Sequence, residues 1–328
     1  MFFFFSSFRL FVHIFFSFLF IFFHTMLEFI LRDRALAGKI LGEENVKYLI
    51  AVLHILSHYD AHEFSHLTLT GIIGIMCRRV EREITDMKKD NIPFPQLSIV
   101  EGNIGIGKTT LINKLCQSGE KRHVPEPLEI WQNISYGDVS CFEQFYREIE
   151  DEAPSSNRYV FMFEVISLVT KFLCISHCFL DEARQAHLEK RPCRDLLSER
   201  WFLTDRYFFI FSFFYYLCLN PFLFFLFPRF VFASNIKHKF SKAEYSHYNY
   251  FISLATEAFV YPNAKCIKLV PLSNPNTVDV CLSRIRARNR PGEEKITRRY
   301  LEDLEYWHTI YFKRMCLQYS LEQMSLDH

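Results

Sequence analysis

Short apolar stretches and helical stretches follow one another around the middle of the chain. Residues 97–101, with the sequence LSIVE, are short, apolar and β-prone, and they predict a strand. Residues 110–115 suit a helix, and the run from 159 to 174 predicts a longer one. Residues 195–200 predict a second strand that ends in charged side chains. The pattern therefore places a strand, a loop and a helix in succession around residues 102–109.

The loop between that strand and that helix carries the motif with the clearest chemistry. Its sequence, GNIGIGKT, fits the pattern of Gly, four residues, then Gly-Lys-Ser/Thr. Glycines let the backbone wrap a phosphate with its N–H groups pointing inward, and the helix N-terminus adds positive potential. Lys108 would then neutralise the β- and γ-phosphates, and Thr109 would offer its hydroxyl to Mg²⁺. The predicted phosphate-binding residues are Gly102, Asn103, Gly105, Gly107, Lys108, Thr109 and Thr110.

Residues 26–95 predict a helical N-terminal extension with no evident catalytic role. Four histidines recur at every fourth residue from 54 to 66, so a continuous helix would stack them on one face. The segment 62–66, HEFSH, also matches the zinc-protease pattern of two histidines flanking a glutamate base. That short pattern arises easily by chance and no third ligand is identifiable downstream. A partly buried helix face is therefore the favoured interpretation.

Phenylalanine, with 37 residues, is concentrated in two apolar tracts, 1–23 and 208–230. Each tract is long enough to span a bilayer, which takes about 20 residues. The literal interpretation is two membrane spans. The first tract, in a Phe-rich segment covering 1–25, could be a targeting segment or an anchor instead.

Composition narrows the function classes only a little. The chain has 328 residues, which is room for one or two domains, and its formal net charge of +1 indicates neither nucleic acid nor an acidic partner. The ten cysteines have no paired metal spacing and form no visible disulfide framework, which indicates a reducing compartment.

Several charged and aromatic residues follow the loop along the chain, and each alone could be an ordinary surface residue. Glu126 stands between two prolines, which fix an extended backbone at a strand end. Glu164 and Lys171 are seven residues apart on the predicted long helix, so they share a face. Glu199-Arg200 ends the predicted second strand, and grouped arginines suit the clamping of transferring phosphates. Further residues in this series are Trp131, Tyr146, Asp205, Arg284, Arg288 and Arg290.

Together these pieces resemble one family, the deoxyribonucleoside kinases, of the deoxycytidine and deoxyguanosine kinase-like type. The resemblance runs from about Leu97 to about Tyr311, and the order and spacing of the motifs make it specific. It implies an α/β P-loop nucleoside-kinase fold, with a parallel sheet of about five strands flanked by helices and an Arg-rich lid. Further matching pieces are Phe163, Arg206-Tyr207, Phe232-Ala233-Ser234-Asn235, Tyr245 and Glu293-Glu294.

The resemblance also implies roles for the candidate residues. With Lys108 at the phosphates, Glu126 would be the general base for the nucleoside 5′-hydroxyl, and Arg200 would hold that hydroxyl and the moving phosphoryl group. Thr109 and Glu199 would hold Mg²⁺, directly or through water. ATP would be the phosphate donor, covered by the three lid arginines. The implied substrate-binding residues are Tyr146 and Glu244 at the sugar 3′-hydroxyl, and Trp131, Glu164, Lys171 and Asp205 elsewhere in the pocket.

The base pocket departs from the family pattern, which usually has Gln at the position of Glu164 and often Arg at that of Lys171. An ionised carboxylate only accepts hydrogen bonds, and guanine offers it two donors, N1–H and the 2-amino group. Glu164 therefore favours guanine or hypoxanthine, and we expect a preference for deoxyguanosine. The rival interpretation is an ion pair between Glu164 and Lys171, with relaxed or lost specificity.

The resemblance places the kinase domain at 96–320 and identifies 208–230 as an interruption. In the family, Asp-Arg-Tyr runs directly into the Ala-Ser-Asn piece, whereas here the apolar tract separates them. Such a tract beside a catalytic strand would expose a large apolar patch or demand a bilayer. We hypothesise an intron retained in the coding sequence; mature transcripts that uniformly encode the tract would contradict this. If it is translated, we expect a damaged or inactive enzyme.

The sequence thus predicts an active deoxynucleoside kinase, in a family that is usually dimeric, located in the cytoplasm or the mitochondrion. We expect a small-molecule substrate and no nucleic-acid partner. Three other classes stay open: a noncatalytic relative such as the kinase-like accessory subunit of respiratory complex I, a membrane-anchored P-loop protein, and a nucleotide monophosphate kinase. A scaffold has no chemical need for Lys108, Glu126 and Glu199-Arg200, and Asp205-Arg206-Tyr207 favours a nucleoside acceptor.

Overall fold

The strand predicted at residues 97–101 lies at the centre of a parallel sheet. The structure, a computed structural model, describes residues 29–59, 63–149, 158–200, 240–258, 265–271, 277–315 and 321–326. Its strands are β1 (Phe29–Leu31), β2 (Leu97–Glu101), β3 (Lys121–Val124), β4 (Ile134–Tyr136), β5 (Val139–Ser140), β6 (Asp195–Glu199), β7 (Lys265–Pro271) and β8 (Leu321–Leu326).

Five of these strands form one parallel sheet in the order β3-β6-β2-β7-β8. Every residue of β2 is buried, as expected for a central parallel strand covered on both faces. Helices flank the sheet, so the predicted parallel sheet of about five strands is confirmed. The helices are α1 (Arg34–Leu41), α2 (Glu43–Ser57), α3 (Glu63–Lys89), α4 (Lys108–Cys116), α5 (Leu128–Asn133), α6 (Cys141–Ile149), α7 (Arg158–Glu189), α8 (Lys242–Ala258), α9 (Thr277–Arg288) and α10 (Arg298–Met315), with a 3₁₀ turn at Glu293–Lys295.

The N-terminal residues pack directly onto the rest of the protein. Strand β1 pairs antiparallel with β4, and the rings of Phe29 and Tyr136 lie 4.9 Å apart. Helix α2 contacts α7, and α3 contacts α8. The sequence predicted only helices here, because a three-residue strand has no readable periodicity.

The continuous histidine face predicted over residues 54–66 is wrong, because α2 ends at Ser57 and α3 begins at Glu63. His54 and His58 remain neighbours, with ring centroids 4.7 Å apart. His66, in the next helix, is buried and stacks on His247 at 4.1 Å. His62 lies outside the described residues, and the described residues contain no group of three His, Cys, Asp or Glu that could hold a metal ion.

Helix α7 is the main core helix, and it confirms the helix predicted from residue 159. One helical segment among the described residues, Tyr159–Glu189, is long and apolar enough to cross a membrane by length and composition. Its most apolar window is 94 % buried inside the protein, as in the core helix of a globular fold. Both apolar tracts of the sequence, 1–23 and 208–230, lie outside the described residues.

A buried carboxylate near the end of α7 fixes the entry into β6. Glu182 accepts hydrogen bonds from the backbone N–H of Arg194 at 2.9 Å and from its guanidinium at 2.6 Å, and it also pairs with Arg191. Burial acts to raise the pKa of Glu182, but the bonds from Arg194 and Arg191 outweigh it and hold the pKa at about 2. This network sets where β6 begins and therefore where its carboxyl end lies.

We expect Glu182→Gln to lower the free energy of unfolding by about 2 kcal/mol, because a neutral amide replaces the buried carboxylate that accepts from the partly exposed Arg191 and Arg194. Since the folded pKa is below the ordinary value, the contribution is present above pH 4.5 and is lost as the pH falls toward 2. Urea denaturation measures both effects. Glu189→Gln, which removes a pair between Arg191 and a half-exposed carboxylate, is the control and should cost less than about 1 kcal/mol. Equal losses of unfolding free energy in the two variants would contradict the role of Glu182 in fixing the entry into β6.

Candidate active site

A cavity of about 890 Å³ lies at the carboxyl ends of β2, β3 and β6. This is the edge of an open parallel sheet at which ligands are usually bound. The cavity brings together most of the site residues predicted from the sequence. Those that line it are Gly105, Gly107, Lys108, Thr109, Thr110, Glu126, Trp131, Tyr146, Glu164, Lys171, Glu199, Arg200, Arg284, Arg288 and Arg290.

The phosphate loop follows β2 and turns into α4. Gly105 and Gly107 have φ angles of 78° and 109°, in the region that favours glycine, and Gly107 is the N-cap of α4. A Cβ atom on Gly105 would lie 2.7 Å from the carbonyl oxygen of Cys281 in α9. The loop is therefore in close backbone contact with the helix that carries the lid arginines.

Asn103 braces the loop instead of lining the cavity. Its side-chain amide donates to the carbonyl of Leu301 at 2.9 Å, and its Oδ1 accepts from the N–H of Ile104 at 2.8 Å. Gly102 also lies outside the cavity lining. Gly102 and Asn103 therefore contribute to the predicted phosphate site only as part of the loop backbone.

Lys108 is buried at the first turn of α4, and its Nζ donates to the carbonyls of Gly102 and Asn103 at 3.1 and 3.0 Å. Burial, with a smaller effect from the charge of Arg200, lowers the pKa of Lys108 to about 8. The carboxylates of Glu126 and Glu199 oppose that shift. The charges of Arg200, Glu126 and Glu199, all predicted site residues, therefore act on Lys108.

Glu199, the last residue of β6, faces two partners at the edge of the sheet. Burial acts to raise its pKa, but His123, the charge of Lys108 and the hydroxyl of Thr109 outweigh it and keep the pKa low. The Nε2 atom of His123 lies 3.5 Å from the carboxylate. Glu199 is thus held ionised beside the hydroxyl that the sequence paired with it.

Arg200 follows β6 with a φ of 58°, a left-handed conformation that is strained for a residue other than glycine. Its N–H donates to the carbonyl of Val100 at 3.1 Å, which continues the pairing of β6 with β2. The charge of Arg200 also acts on Tyr146. Burial raises the pKa of this phenol, Arg200 lowers it, and Glu293 and Glu126 raise it. Arg200, Tyr146, Glu293 and Glu126 therefore surround one part of the cavity.

The lid arginines are tied to the phosphate loop and to a buried carboxylate. Arg284 donates to the carbonyl of Ile106 at 2.8 Å. Arg288 makes two hydrogen bonds of 2.6 Å with Glu293, and Arg290 adds one of 3.1 Å. Glu293 is only 2 % exposed, so it gathers two guanidinium groups at the cavity wall.

Aromatic rings wall the other end of the cavity. Trp131 and Phe163 meet edge to face at 5.5 Å, and Phe163 packs on Phe145 at 4.4 Å. The indole N–H of Trp131 donates to Thr170 at 2.8 Å, which fixes the ring. Lys171 places its Nζ 5.6 Å from the centre of the Trp131 ring. This end of the cavity is apolar, with a few polar groups in fixed positions.

Glu164 and Lys171 are the charged groups of the aromatic end. Both line the cavity and are buried, with 8 % and 4 % of their surface exposed. The hydroxyl of Tyr248, in α8, donates to Glu164 Oε2 at 3.2 Å. Their common face on α7, predicted from the spacing of seven, is therefore turned into the cavity.

Glu244 does not line the cavity, which departs from its predicted place at the sugar. Its carboxylate accepts from the N–H of Ser241 at 2.7 Å, while Ser241 Oγ accepts from the N–H of Glu244 at 3.2 Å. This reciprocal pair is a capping box at the start of α8. The hydroxyl of Tyr59 also donates to Glu244. Asp205, another predicted pocket residue, lies outside the described residues.

Several cavity residues have no signal in the sequence that assigns them to a site. In the sequence, Glu293 is only one residue of a motif. Its contact with Arg288 and Arg290 depends on the turn after α9. His123 is one residue of a short strand and reaches Glu199 only because β3 pairs with β6. Phe142 and Phe145 share a face of α6 with Tyr146, and this spacing alone could equally mark a core helix. Ile40 reaches the cavity from the N-terminal residues.

Comparison with known proteins gives one consistent result. The model of the deoxynucleoside kinase family matches residues 98–213 and 227–325. Deoxycytidine kinase 1 of Xenopus laevis is 24 % identical over 69 % of this chain and 77 % of its own length. Deoxycytidine kinase of Mus musculus is 25 % identical over 69 % and 78 %. A solved structure of deoxyadenosine kinase from M. mycoides with bound dATP superposes with a TM-score of 0.45 and 17 % identity, covering 71 % of this chain and 93 % of that one.

We expect Gly105→Ala to weaken binding of Mg-ATP more than tenfold, because the new Cβ would meet the backbone of α9 and the residue would keep a left-handed φ. Gly119→Ala is the matched control: its φ is also 78°, but nothing lies within 4 Å of the added atom. The control should cost only about 1–2 kcal/mol of stability and leave ATP binding unchanged. Titration calorimetry measures the binding, and similar affinities in both variants would rule out the steric account.

Proposed function

Because the chain belongs to the deoxynucleoside kinase family, we propose that it transfers the γ-phosphoryl group of ATP to the 5′-hydroxyl of a deoxynucleoside. The observation that carries this proposal is one cavity with two chemically different ends. The phosphate loop and the lid arginines form one end, and aromatic rings with two buried charges form the other. A triphosphate suits the first end and a nucleoside the second, so the reacting groups would meet between them.

The residues between the two ends support the transfer chemistry. Glu126 would accept the proton of the 5′-hydroxyl as that oxygen attacks the γ-phosphorus. Arg200 would hold the attacking oxygen and the moving phosphoryl group, and Lys108 would neutralise charge on the β- and γ-phosphates. Such catalysis consists of positioning and charge stabilisation, with little covalent work for the protein. Arg288 and Arg290 would release part of their hydrogen bonds with Glu293 and bind the phosphates instead.

Thr109 and Glu199 fit a magnesium ion. A hydroxyl and an ionised carboxylate are hard oxygen ligands of the kind that Mg²⁺ takes beside nucleotide phosphates, and Thr109 is near enough to Glu199 to help lower its pKa. When bound, the ion would offset negative charge on the phosphates of the donor. His123 would keep the carboxylate in place from the side of β3.

The sugar end is best assigned to Tyr146 together with Glu293. Both line the cavity, and the charge of Glu293 acts on the Tyr146 phenol. Glu244 is engaged in the capping box of α8. Of the two carboxylates that act on Tyr146, Glu126 is the proposed base, so Glu293 is assigned to the sugar. A phenol and a carboxylate together can donate to and accept from a sugar hydroxyl.

For the base, we propose deoxyguanosine as the preferred substrate. The two relatives named above are deoxycytidine kinases, so this preference depends on residues of this chain alone. The ionised form of Glu164 would accept from guanine N1–H and the 2-amino group, and Lys171 would donate to the O6 oxygen. An ion pair between Glu164 and Lys171 with relaxed base preference is the competing arrangement.

We also propose that the kinase domain covers 96–320 and is interrupted by the apolar tract 208–230. The family match supports this, because it stops at residue 213 and resumes at residue 227. The unmatched residues lie within the tract. A chain lacking 208–230 should therefore be at least as active as the full-length chain.

The proposed reaction is tested with the full-length chain, Mg-ATP and each deoxynucleoside in turn, with the 5′-monophosphate product identified. We expect Glu126→Gln to lower turnover by at least 100-fold, because an amide cannot accept the hydroxyl proton, while ATP binding is kept. Glu129→Gln, a nearby carboxylate that also lines the cavity, is the control and should stay active. A folded protein that binds ATP but phosphorylates no deoxynucleoside, both at full length and without 208–230, would favour a noncatalytic or monophosphate-kinase function.

We expect Glu164→Gln to lower the ratio of kcat/KM for deoxyguanosine over deoxycytidine by about tenfold or more. Glutamine both donates and accepts, so it suits the cytosine edge and loses one acceptor toward guanine. The KM for ATP should not change. Thymidine or deoxycytidine turned over by the wild-type chain as well as deoxyguanosine would refute the proposed base preference.

A further inference from the structure

One fully buried residue contacts the aromatic end of the cavity from behind. Tyr248, in α8, has no exposed surface, and its hydroxyl donates to Glu164 Oε2 at 3.2 Å. The Phe240 ring packs against it edge to face at 5.8 Å. Tyr248 does not line the cavity, whereas Glu164 does. The contact therefore joins a residue that cannot touch a ligand to one that can.

The chemistry of this contact constrains how Glu164 can be used. A carboxylate is a symmetric acceptor that turns easily about its last side-chain bond, and each oxygen has two lone pairs. A hydrogen bond from a fixed phenol holds that rotation and uses one lone pair of Oε2. Glu164 is thereby held as an acceptor with a defined plane.

We propose that Tyr248 is a positioning residue that orients the Glu164 carboxylate and so determines the base preference of the enzyme. The inference rests on the proposed function. A carboxylate held in one plane can accept from two neighbouring donors on one edge of a base, the ring N–H and the amino group of guanine or a close analogue. A base that offers a ring acceptor at that place would be excluded, because two acceptors would face each other.

The helix that carries Tyr248 is itself fixed from the N-terminal side. The capping box of Ser241 and Glu244 sets the start of α8, and the Tyr59 hydroxyl donates to the Glu244 carboxylate at 3.4 Å. His66 of α3 stacks on His247, the residue before Tyr248. The orientation of Glu164 is therefore connected to residues 29–89, which gives the N-terminal helices a part in substrate selection.

The test compares Tyr248→Phe with Tyr250→Phe in the full-length chain. Each variant removes one phenol oxygen from α8, and Tyr250 is 51 % exposed, so it serves as the matched control. For Tyr248→Phe we expect the KM for deoxyguanosine to rise about tenfold, in line with the loss of a hydrogen bond to a charged group. The KM for ATP should stay the same, and the ratio of kcat/KM for deoxyguanosine over deoxycytidine should fall. Tyr250→Phe should match the wild type.

A second comparison separates positioning from packing. If Tyr248 acts through the Glu164 carboxylate, Tyr248→Phe should change the base ratio much less in a Glu164→Gln background than in the wild type. An equal change in both backgrounds, or a wild-type base ratio in Tyr248→Phe, would overturn this inference alone. If neither the full-length chain nor the chain lacking 208–230 phosphorylates a deoxynucleoside, the proposed function and this inference are overturned together.

Discussion

The parallel pairing of β2 with β6 is the constraint on which the site depends. Val100 lies opposite Glu199, so the phosphate loop and the Glu199-Arg200 pair leave the sheet at the same edge. Charges of both signs therefore lie at that edge. Lys108 lies near the loop carbonyls and near the carboxylates of Glu126 and Glu199. Buried charges are stable only with partners, so the site residues depend on one another. The pairing of β3 with β6 brings Glu126 and His123 to the same place.

Features set by a local pattern were predicted well from the sequence. The strand at 97–101, the helix after the phosphate loop and the long helix α7 each follow from a run of neighbouring residues. Residues whose role comes from tertiary position were not predicted. Glu293, for example, contacts the lid arginines only because of the turn after α9. Glu244 is the instructive case, because the series Ser241-x-x-Glu244 is a recognisable helix-start signal. Weighing that local signal would have placed Glu244 at a cap instead of at the sugar.

The base-recognising end of the cavity is held from both sides of the protein. Helix α7 presents Glu164 and Lys171, and α8 supports them from behind through Tyr248. The N-terminal helices in turn pack on α7 and α8, and Ile40 reaches the cavity wall. The phosphate end is held differently: the loop backbone lies close to α9 at Gly105, and the Asn103 side chain donates to the backbone of α10. Substitutions remote from the cavity should therefore act on substrate choice and on phosphate binding separately.

The central claim is that a single cavity binds a phosphate donor and a deoxynucleoside together. The most direct test is the affinity of a bisubstrate analogue in which adenosine and deoxyguanosine are joined through five phosphates, measured by calorimetry on the full-length chain. The account predicts one molecule bound per chain, at least 100-fold more tightly than ATP, since the two halves share one binding event. Gly105→Ala and Glu164→Gln should each weaken it from opposite ends. An analogue that binds no more tightly than ATP, and is indifferent to Glu164→Gln, would contradict the claim.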